Sequence, residues 1–328
     1  MGNKVKLGIV GAGVLGRFHT KLSAANPDVE VVGVFDVNAE AAQKVADEFS
    51  VKAFSGSLED FAQQCDALTV AVPATLHYAT AMPLLAMNKH ILMEKPFAAT
   101  VAEGKALVEE ARKRSLVLGV GHVEHFNAAM DFLREKEKKN VLFIEANRFA
   151  KYPPPRPGMH RRGTEVSVVL DLMIHDLELI LDIAGSEVES FDAAGKCVFS
   201  ETEDIANARI RFKNGCVANV SASRIHPEGV RQMLLYRTDD CISMDFSTNS
   251  GKILSAGADA QTLVEEVTFR EKNALAGEID DFVKCVLKTR ESGVVCDTLV
   301  SGEQGLRALD LAIAICDKIA ANNSKYGF

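Results

Sequence analysis

Paired cysteines, long apolar runs and surplus positive charge are what this chain of 328 residues lacks. Its seven Cys are odd in number and scattered, with no C-x-x-C pair. That suits reduced thiols in a cytoplasm better than a disulfide framework or a zinc site, and no metal is expected. No window approaches about eighteen uninterrupted apolar residues, so no membrane-spanning helix is expected. The first residues lead straight into a strand pattern, without the signature of a signal peptide. A formal net charge of −8 and a pI near 5.6 argue against a nucleic-acid or anionic-membrane surface. Internal repeats and low-complexity tracts are missing too. What remains is length for two domains and a hydrophobic fraction of 47%, enough for a substantial core.

The chain is organised around Val5 to Asp36. Val5-Lys6-Leu7-Gly8-Ile9-Val10 is short, apolar and β-branched, the pattern of a buried parallel strand. Gly11-Ala12-Gly13-Val14-Leu15-Gly16 follows at once, then a helical run to about Ala25, then a second apolar run from Val29 to Phe35 ending in Asp36. Gly11 permits a tight turn, Gly13 lets a pyrophosphate approach the backbone, and Gly16 lets helix and strand pack closely. The helix start supplies N–H groups and a positive dipole for phosphates. Asp36 can accept hydrogen bonds from both hydroxyls of an adenosine ribose, and its charge repels a 2′-phosphate. No cation follows in Val37-Asn38-Ala39 to reverse that preference. These residues predict a dinucleotide site that favours NAD, with Gly11, Gly13, Val14, Leu15, Gly16 and Asp36 as ligands. The competing reading is a glycine-rich turn with no ligand.

The alternation continues. Helices are expected over Ala39–Phe49, Leu58–Gln64, Thr75–Met87 (with Pro83 forcing a kink or an early stop) and Thr100–Arg114, with Thr100 as N-cap. Strands are expected at Val51–Phe54, Ala67–Val72, His90–Met93 and Leu116–Val120. Such alternation over about 120 residues predicts a doubly wound parallel sheet. Beyond it the pattern changes: a short helix at Asn127–Glu135, a strand at Val141–Phe149, an irregular Pro-rich loop from Tyr152, and an apolar helix over Val168–Ala184. Strands with hairpin turns then run from Val188 to Phe246, Lys213-Asn214-Gly215 being the clearest turn. This predicts an α+β domain with an open, mainly antiparallel sheet and one helix on its face. Closing helices are expected at Leu275–Thr289 and Ser301–Ala321. The division falls at 1–121 and 122–328, with the closing helices able to pack on either part.

Three further groups could carry chemistry. Val72-Pro73-Ala74-Thr75-Leu76-His77 follows the fourth strand, where ligands of doubly wound sheets lie, so Val72, Pro73, Thr75 and His77 are candidate cofactor neighbours. A turn capped by Thr75 is the plainer alternative. Glu94-Lys95-Pro96 ends the fifth strand. Pro96 restricts Lys95 to an extended backbone, and a lysine beside a nicotinamide could stabilise a developing alkoxide. An ordinary surface lysine is the alternative. Asp171 and His175 stand four apart on a predicted helix, so carboxylate and imidazole share a face. Histidine can take a hydroxyl proton while the carbon loses hydride, whereas a bare helix-surface pair would do nothing.

Together these residues resemble the Gfo/Idh/MocA family of oxidoreductases, and the likeness spans essentially the whole chain. The resemblance implies an N-terminal Rossmann domain, an open antiparallel α/β domain, and association into dimers or tetramers through that sheet. It also implies Lys95, Asp171 and His175 as catalytic or substrate-binding residues, with Glu94 and Lys95 bordering the cofactor. A narrower likeness, carried by Gly121 to Asn127, Glu145 to Phe149 and Val168 to Asp176, is to the branch containing nucleotide-sugar 3-dehydrogenases. His125, where Arg is expected in that branch, and the loop Pro153 to Arg162 depart from it. Arg148, Arg156, Arg161, Arg162, Arg224 and Arg231 follow the cofactor domain, and Arg148 and Arg161 are the first candidates to hold a substrate diphosphate. The expected function is NAD-dependent oxidation of a sugar hydroxyl, at the 3-position of a UDP-N-acetylglucosamine-type sugar. The alternatives are oxidation of a free sugar, inositol or polyol, and a non-catalytic dinucleotide-binding regulator.

Overall fold

The structure is a computed structural model and describes residues 4–136, 139–155, 161, 163–257 and 261–325. The chain divides into two compact units, Met1–Phe126 with Asn273–Leu309, and Asn127–Lys272 with Asp310–Phe328. Three boundaries therefore separate the units, because Asn273–Leu309 groups with the N-terminal residues and Asp310–Phe328 with the middle of the chain.

The first unit is built on β1 (Val5–Val10), β2 (Val29–Phe35), β3 (Ala53–Phe54), β4 (Ala67–Val70), β5 (His90–Met93) and β6 (Leu118–Val120). These strands lie in the order β3-β2-β1-β4-β5-β6, all parallel. Helices α1 (Val14–Ala25), α2 (Ala39–Phe49), α3 (Leu58–Gln63), α4 (His77–Ala86) and α5 (Val101–Lys113) supply the crossovers. This is the doubly wound order with its switch point between β1 and β4. All four residues of β4 are buried, which is why it reads as a continuous apolar run rather than an alternating one. Thr100 caps α5 in a reciprocal box with Glu103. Helix α4 runs through Pro83 to Ala86, preceded by a short 3₁₀ turn at Ala74–Leu76.

The second unit begins with α6 (Ala128–Glu135), β7 (Val141–Phe149) and α7 (Ile174–Ala184). A run of strands follows: β8 (Val188–Lys196), β9 (Ile205–Phe212), β10 (Val217–Ser223), β11 (Val230–Arg237), β12 (Asp240–Asp245), β13 (Ser250–Ala256) and β14 (Thr262–Thr268). The sheet order is β14-β13-β12-β11-β7-β10-β9-β8, antiparallel except where β7 meets β10. One face is buried: β9 alternates exposed and buried along its whole length. The turn between β9 and β10 has Gly215 at φ +89° and the Asn214 side chain accepting from the Cys216 N–H. Strands β13 and β14 extend the sheet beyond the expected end at Phe246.

Helix α8 (Ala274–Ser292) brings the chain back into the first unit, and α9 (Gly302–Lys325) follows it. Ile279, Phe282, Val283 and Val286 pack with Val5, Leu7, Val29, Ala67, Leu92 and Val117. Phe282 is fully buried there, and truncating such a side chain costs about 3–5 kcal/mol.

Candidate active site

In the first unit the glycine turn has the shape a pyrophosphate requires. Gly11 has φ +105°, and a Cβ added to it would lie 2.4 Å from Ala71 O. A Cβ on Gly16 would lie 1.8 Å from Gly11 O, so side chains are excluded where strand, turn and helix touch. Gly13 is different: a Cβ there would meet nothing within 4 Å, which leaves open space over the start of α1. Gly13 is the N-cap of α1 and offers no side-chain acceptor to the first turn, so those N–H groups remain for a ligand. Both Asp36 oxygens are oriented by backbone, Oδ2 accepting from Ala12 N at 2.7 Å and Oδ1 from Asn38 N at 2.8 Å. Each keeps acceptor capacity for a ribose hydroxyl. These residues fit NAD.

His77 is turned into the fold. Its side chain is buried, with Nδ1 2.9 Å from Pro96 O and Nε2 3.0 Å from Val72 O, so it ties the turn after β4 to the turn after β5. Burial pushes its pKa below the ordinary histidine value against the pull of those carbonyls. Thr75 is exposed and makes no capping bond.

Glu94 is also turned inward. It is 7% exposed, its Oε1 lies 2.8 Å from His19 Nε2, and its Oε2 accepts from the Lys95 N–H at 3.3 Å. Burial would raise its pKa, but the hydrogen bond and charge of His19 and the charge of Lys95 hold the carboxyl below its ordinary value. Lys95 itself is half-buried, and its bond to Pro96 is cis. Behind this strand end lies His122, which burial and the charges of His125 and Lys95 push down to about 3, so it stays neutral at physiological pH. His125 is fully buried. Glu278 of α8 is 3% exposed, and neither carboxyl oxygen has a hydrogen-bond partner among the described residues. Burial first, then the charges of Glu94 and Asp281, hold it well above the usual carboxylate range. Sequence patterning gave no sign of His19 or Glu278, because each reads as one polar residue in a helical run.

In the second unit, Asp171 and His175 lie where one helix type gives way to another. Val169–Met173 forms a π-turn that continues into α7 at Ile174, so the expected single α-helix from Val168 is a π-turn plus an α-helix. Such wider turns cluster at functional sites. Asp171 and His175 are both half-buried. A loop is pressed against the π-turn: a Cβ on Gly163, at φ +81°, would lie 2.3 Å from Asp171 Oδ2. That loop is held by Arg224, which donates to Gly163 O, Val166 O and Thr202 Oγ1 and pairs through Nε with Asp204. Asp204 accepts three further N–H groups, from Val198, Phe199 and Ser200. Burial opposes ionisation of Asp204, but these donors and Arg224 drive its pKa well below the carboxylate range.

The arginines expected to meet phosphate therefore separate. Arg148 is 4% exposed and binds Asp176 bidentately, Nε at 2.8 Å and Nη2 at 3.0 Å. Its guanidinium is paired within the fold, and that of Arg224 likewise. Arg161 is half-buried, with its guanidinium over the Tyr152 ring and Nη1 donating to Pro153 O. It lines an open groove of about 570 Å³ with Tyr152, Phe199 and Thr202. Arg156 and Arg162 lie outside the described residues. Among the described residues no cluster of metal-ligating side chains occurs, and no helix is long and apolar enough to cross a membrane.

Comparison with known proteins bears on both units. Residues 5–122 match the model of an oxidoreductase family with an NAD-binding Rossmann fold, and residues 123–243 match the GFO/IDH/MocA C-terminal domain. The chain belongs to the Gfo/Idh/MocA family. It is an NAD-binding oxidoreductase, and several of its relatives are dehydrogenases of sugars or inositols. UDP-N-acetylglucosamine 3-dehydrogenase of Acidithiobacillus ferrooxidans is 34% identical over 316 residues, covering 95% of this chain and 97% of that one. A solved structure of that enzyme superposes with a TM-score of 0.88 at 33% identity, covering 98% and 99% of the two chains. NAD-dependent scyllo-inositol 2-dehydrogenase of Bacillus subtilis is 25% identical over 327 residues, 94% of each chain. Levoglucosan dehydrogenase in complex with NADH shares the fold, with a TM-score of 0.86 at 18% identity over 97% and 98% of the chains.

Proposed function

We propose that this family member oxidises the 3-hydroxyl of a UDP-N-acetylglucosamine-type nucleotide sugar. The observation that carries the reading is the 34% identity to the Acidithiobacillus ferrooxidans enzyme along 95% of the chain. In the first unit Gly11, Gly13, Gly16 and Asp36 would hold NAD, which when bound supplies a hydride acceptor. In the reading we favour, His175 takes the proton of the substrate hydroxyl and Asp171 positions the base or the sugar. Lys95 is the candidate of the first unit for stabilising negative charge that develops on an oxygen, through its ammonium. The inward Glu94–His19 pair anchors the strand end that carries Lys95, and the Arg148–Asp176 pair anchors the start of α7 that carries His175.

Arg161 is the arginine we assign to the diphosphate, since Arg148 and Arg224 already have carboxylate partners. Hydrogen bonds to charged groups contribute about 1.5–3 kcal/mol, so Arg161→Ala should raise KM for a UDP-sugar roughly 10–100-fold. The deciding assay follows absorbance at 340 nm with NAD and UDP-N-acetylglucosamine, its uronic acid, free N-acetylglucosamine and scyllo-inositol at matched concentrations. Turnover confined to the UDP-sugars supports the reading. Equal turnover of a free sugar or inositol would replace it with a polyol dehydrogenase, the second reading that the inositol dehydrogenase relatives favour.

A further inference from the structure

Two thiols of the first unit stand against each other away from the glycine turn and Lys95. Cys285 lies on α8, and Cys296 lies on the segment that returns beside the helix after its C-terminus. Gly293 ends the helix in the left-handed region at φ +70°, its N–H bonding to Thr289 O, and reverses the chain. The returning segment is then fixed at successive points. Cys296 N donates to Thr289 Oγ1 at 2.9 Å, and Leu299 N donates to Asp281 Oδ2 at 2.7 Å. Beside these anchors the Cys285 and Cys296 sulfurs approach to 3.3 Å, and the Cys285 thiol also donates to Asp297 O at 3.2 Å. Cys285 is 4% exposed and Cys296 is partly exposed.

We propose that Cys285 and Cys296 form a reversible intramolecular disulfide, a covalent modification site that staples α8 to the returning segment. A disulfide needs the sulfurs at about 2.05 Å, so from 3.3 Å they have only about 1.3 Å to close. The anchors at Cys296 and Leu299 hold the returning segment against the helix and keep the two thiols together, which favours intramolecular closure over a lasting adduct.

The oxidant is a low-molecular-weight disulfide, and the chemistry balances in two exchanges. The Cys296 thiolate, the more exposed of the two, attacks one sulfur of the small disulfide and expels one small thiolate, leaving a mixed disulfide. Cys285 then loses its proton and attacks the Cys296 sulfur, expelling the second small thiolate. Two S–H bonds and one S–S bond are broken, one protein S–S bond forms, and the small disulfide leaves reduced as two thiols. Burial, the Cys296 hydrogen bond and the Asp281 charge raise the pKa of the Cys285 thiol, so the second exchange is the slow one and quickens with pH.

The sequence supplies a direct readout. Trypsin cuts after Lys284, Lys288, Arg290 and Arg307, which places Cys285 in the peptide Cys285–Lys288 and Cys296 in the peptide Glu291–Arg307. The full-length protein with NAD bound is incubated with excess oxidised glutathione at pH 8, alkylated and digested without reduction. The expected product joins these two peptides at a mass two hydrogens below their sum. It disappears in Cys285→Ser and in Cys296→Ser. In Cys285→Ser a glutathione adduct should persist on Cys296, because the resolving thiol is gone. The oxidised wild type should melt roughly 5–10 °C higher than the reduced form, with neither variant showing the shift. Separate alkylation of both thiols after full equilibration would overturn the proposal and leave the pair as core packing. A persistent glutathione adduct on wild-type Cys296, or cross-links to other cysteines, would overturn it equally.

Discussion

Arg148 presents Nε and Nη2 to the two carboxylate oxygens of Asp176, the residue that follows His175, at 2.8 and 3.0 Å. Both residues are buried, at 4% exposure each, and the pair joins β7 to the first turn of α7. A buried charge is tolerable only with such a partner, and removing one member leaves the other uncompensated.

Arg148→Ala should therefore destabilise the protein by about 3–5 kcal/mol in urea titration. Arg148→Lys should recover only part, because an ammonium cannot reproduce the planar fork. If instead stability is unchanged and only KM for a UDP-sugar rises, Arg148 belongs to the substrate after all.

The glycine turn separates folding from cofactor binding. Gly16→Ala places a methyl group into Gly11 O and should abolish the folded state or nearly so, whereas Gly13→Ala has open space and should fold normally. The Gly13 variant should nevertheless bind NAD more weakly in calorimetry, since the new methyl occupies the approach to the helix N-terminus. Asp36→Ala should narrow the preference for NAD over NADP. Unchanged NAD affinity in Gly13→Ala would place the pyrophosphate elsewhere.

Lys95→Met and His175→Asn test the assigned chemistry. Each should bind NAD as the wild type does and lose about 10²–10⁴-fold in kcat. Near-normal turnover in both variants would remove them from the reaction.

Glu278 gives a signed dependence of stability on pH. Its carboxyl is held well above the usual range by burial and by the charges of Glu94 and Asp281. Below its ordinary value both folded and unfolded chains are protonated there, and the stability associated with the group is fully present. As pH rises, the unfolded chain ionises while the folded one does not, so that stability is lost progressively up to the raised folded pKa. Glu278→Gln cannot ionise. The melting temperature of the variant minus that of the wild type should increase from pH 5 to pH 8. A difference that stays flat across this range would show that Glu278 is ionised in the folded protein.

What the sequence determined by itself is the part of the molecule written in short-range pattern. The apolar run of β1, the three glycines, α1 and Asp36 follow one another within a single stretch. The need for positive φ at Gly11, and for no side chain at Gly16, is a property of those positions. Alternating strands and helices gave the parallel sheet, and Asn214-Gly215 gave the β9–β10 hairpin. The last two strands escaped, because β14 is exposed at nearly every residue and carries no two-residue alternation. Tertiary structure alone decided which charged residues are free to act. His19 and Glu94 are 75 residues apart, and Arg148 and Asp176 are 28 apart. An arginine looks the same in sequence whether a buried carboxylate or a phosphate awaits it. Burial makes the difference: a guanidinium out of water must be paired inside the fold, and only the folded chain brings that partner to it.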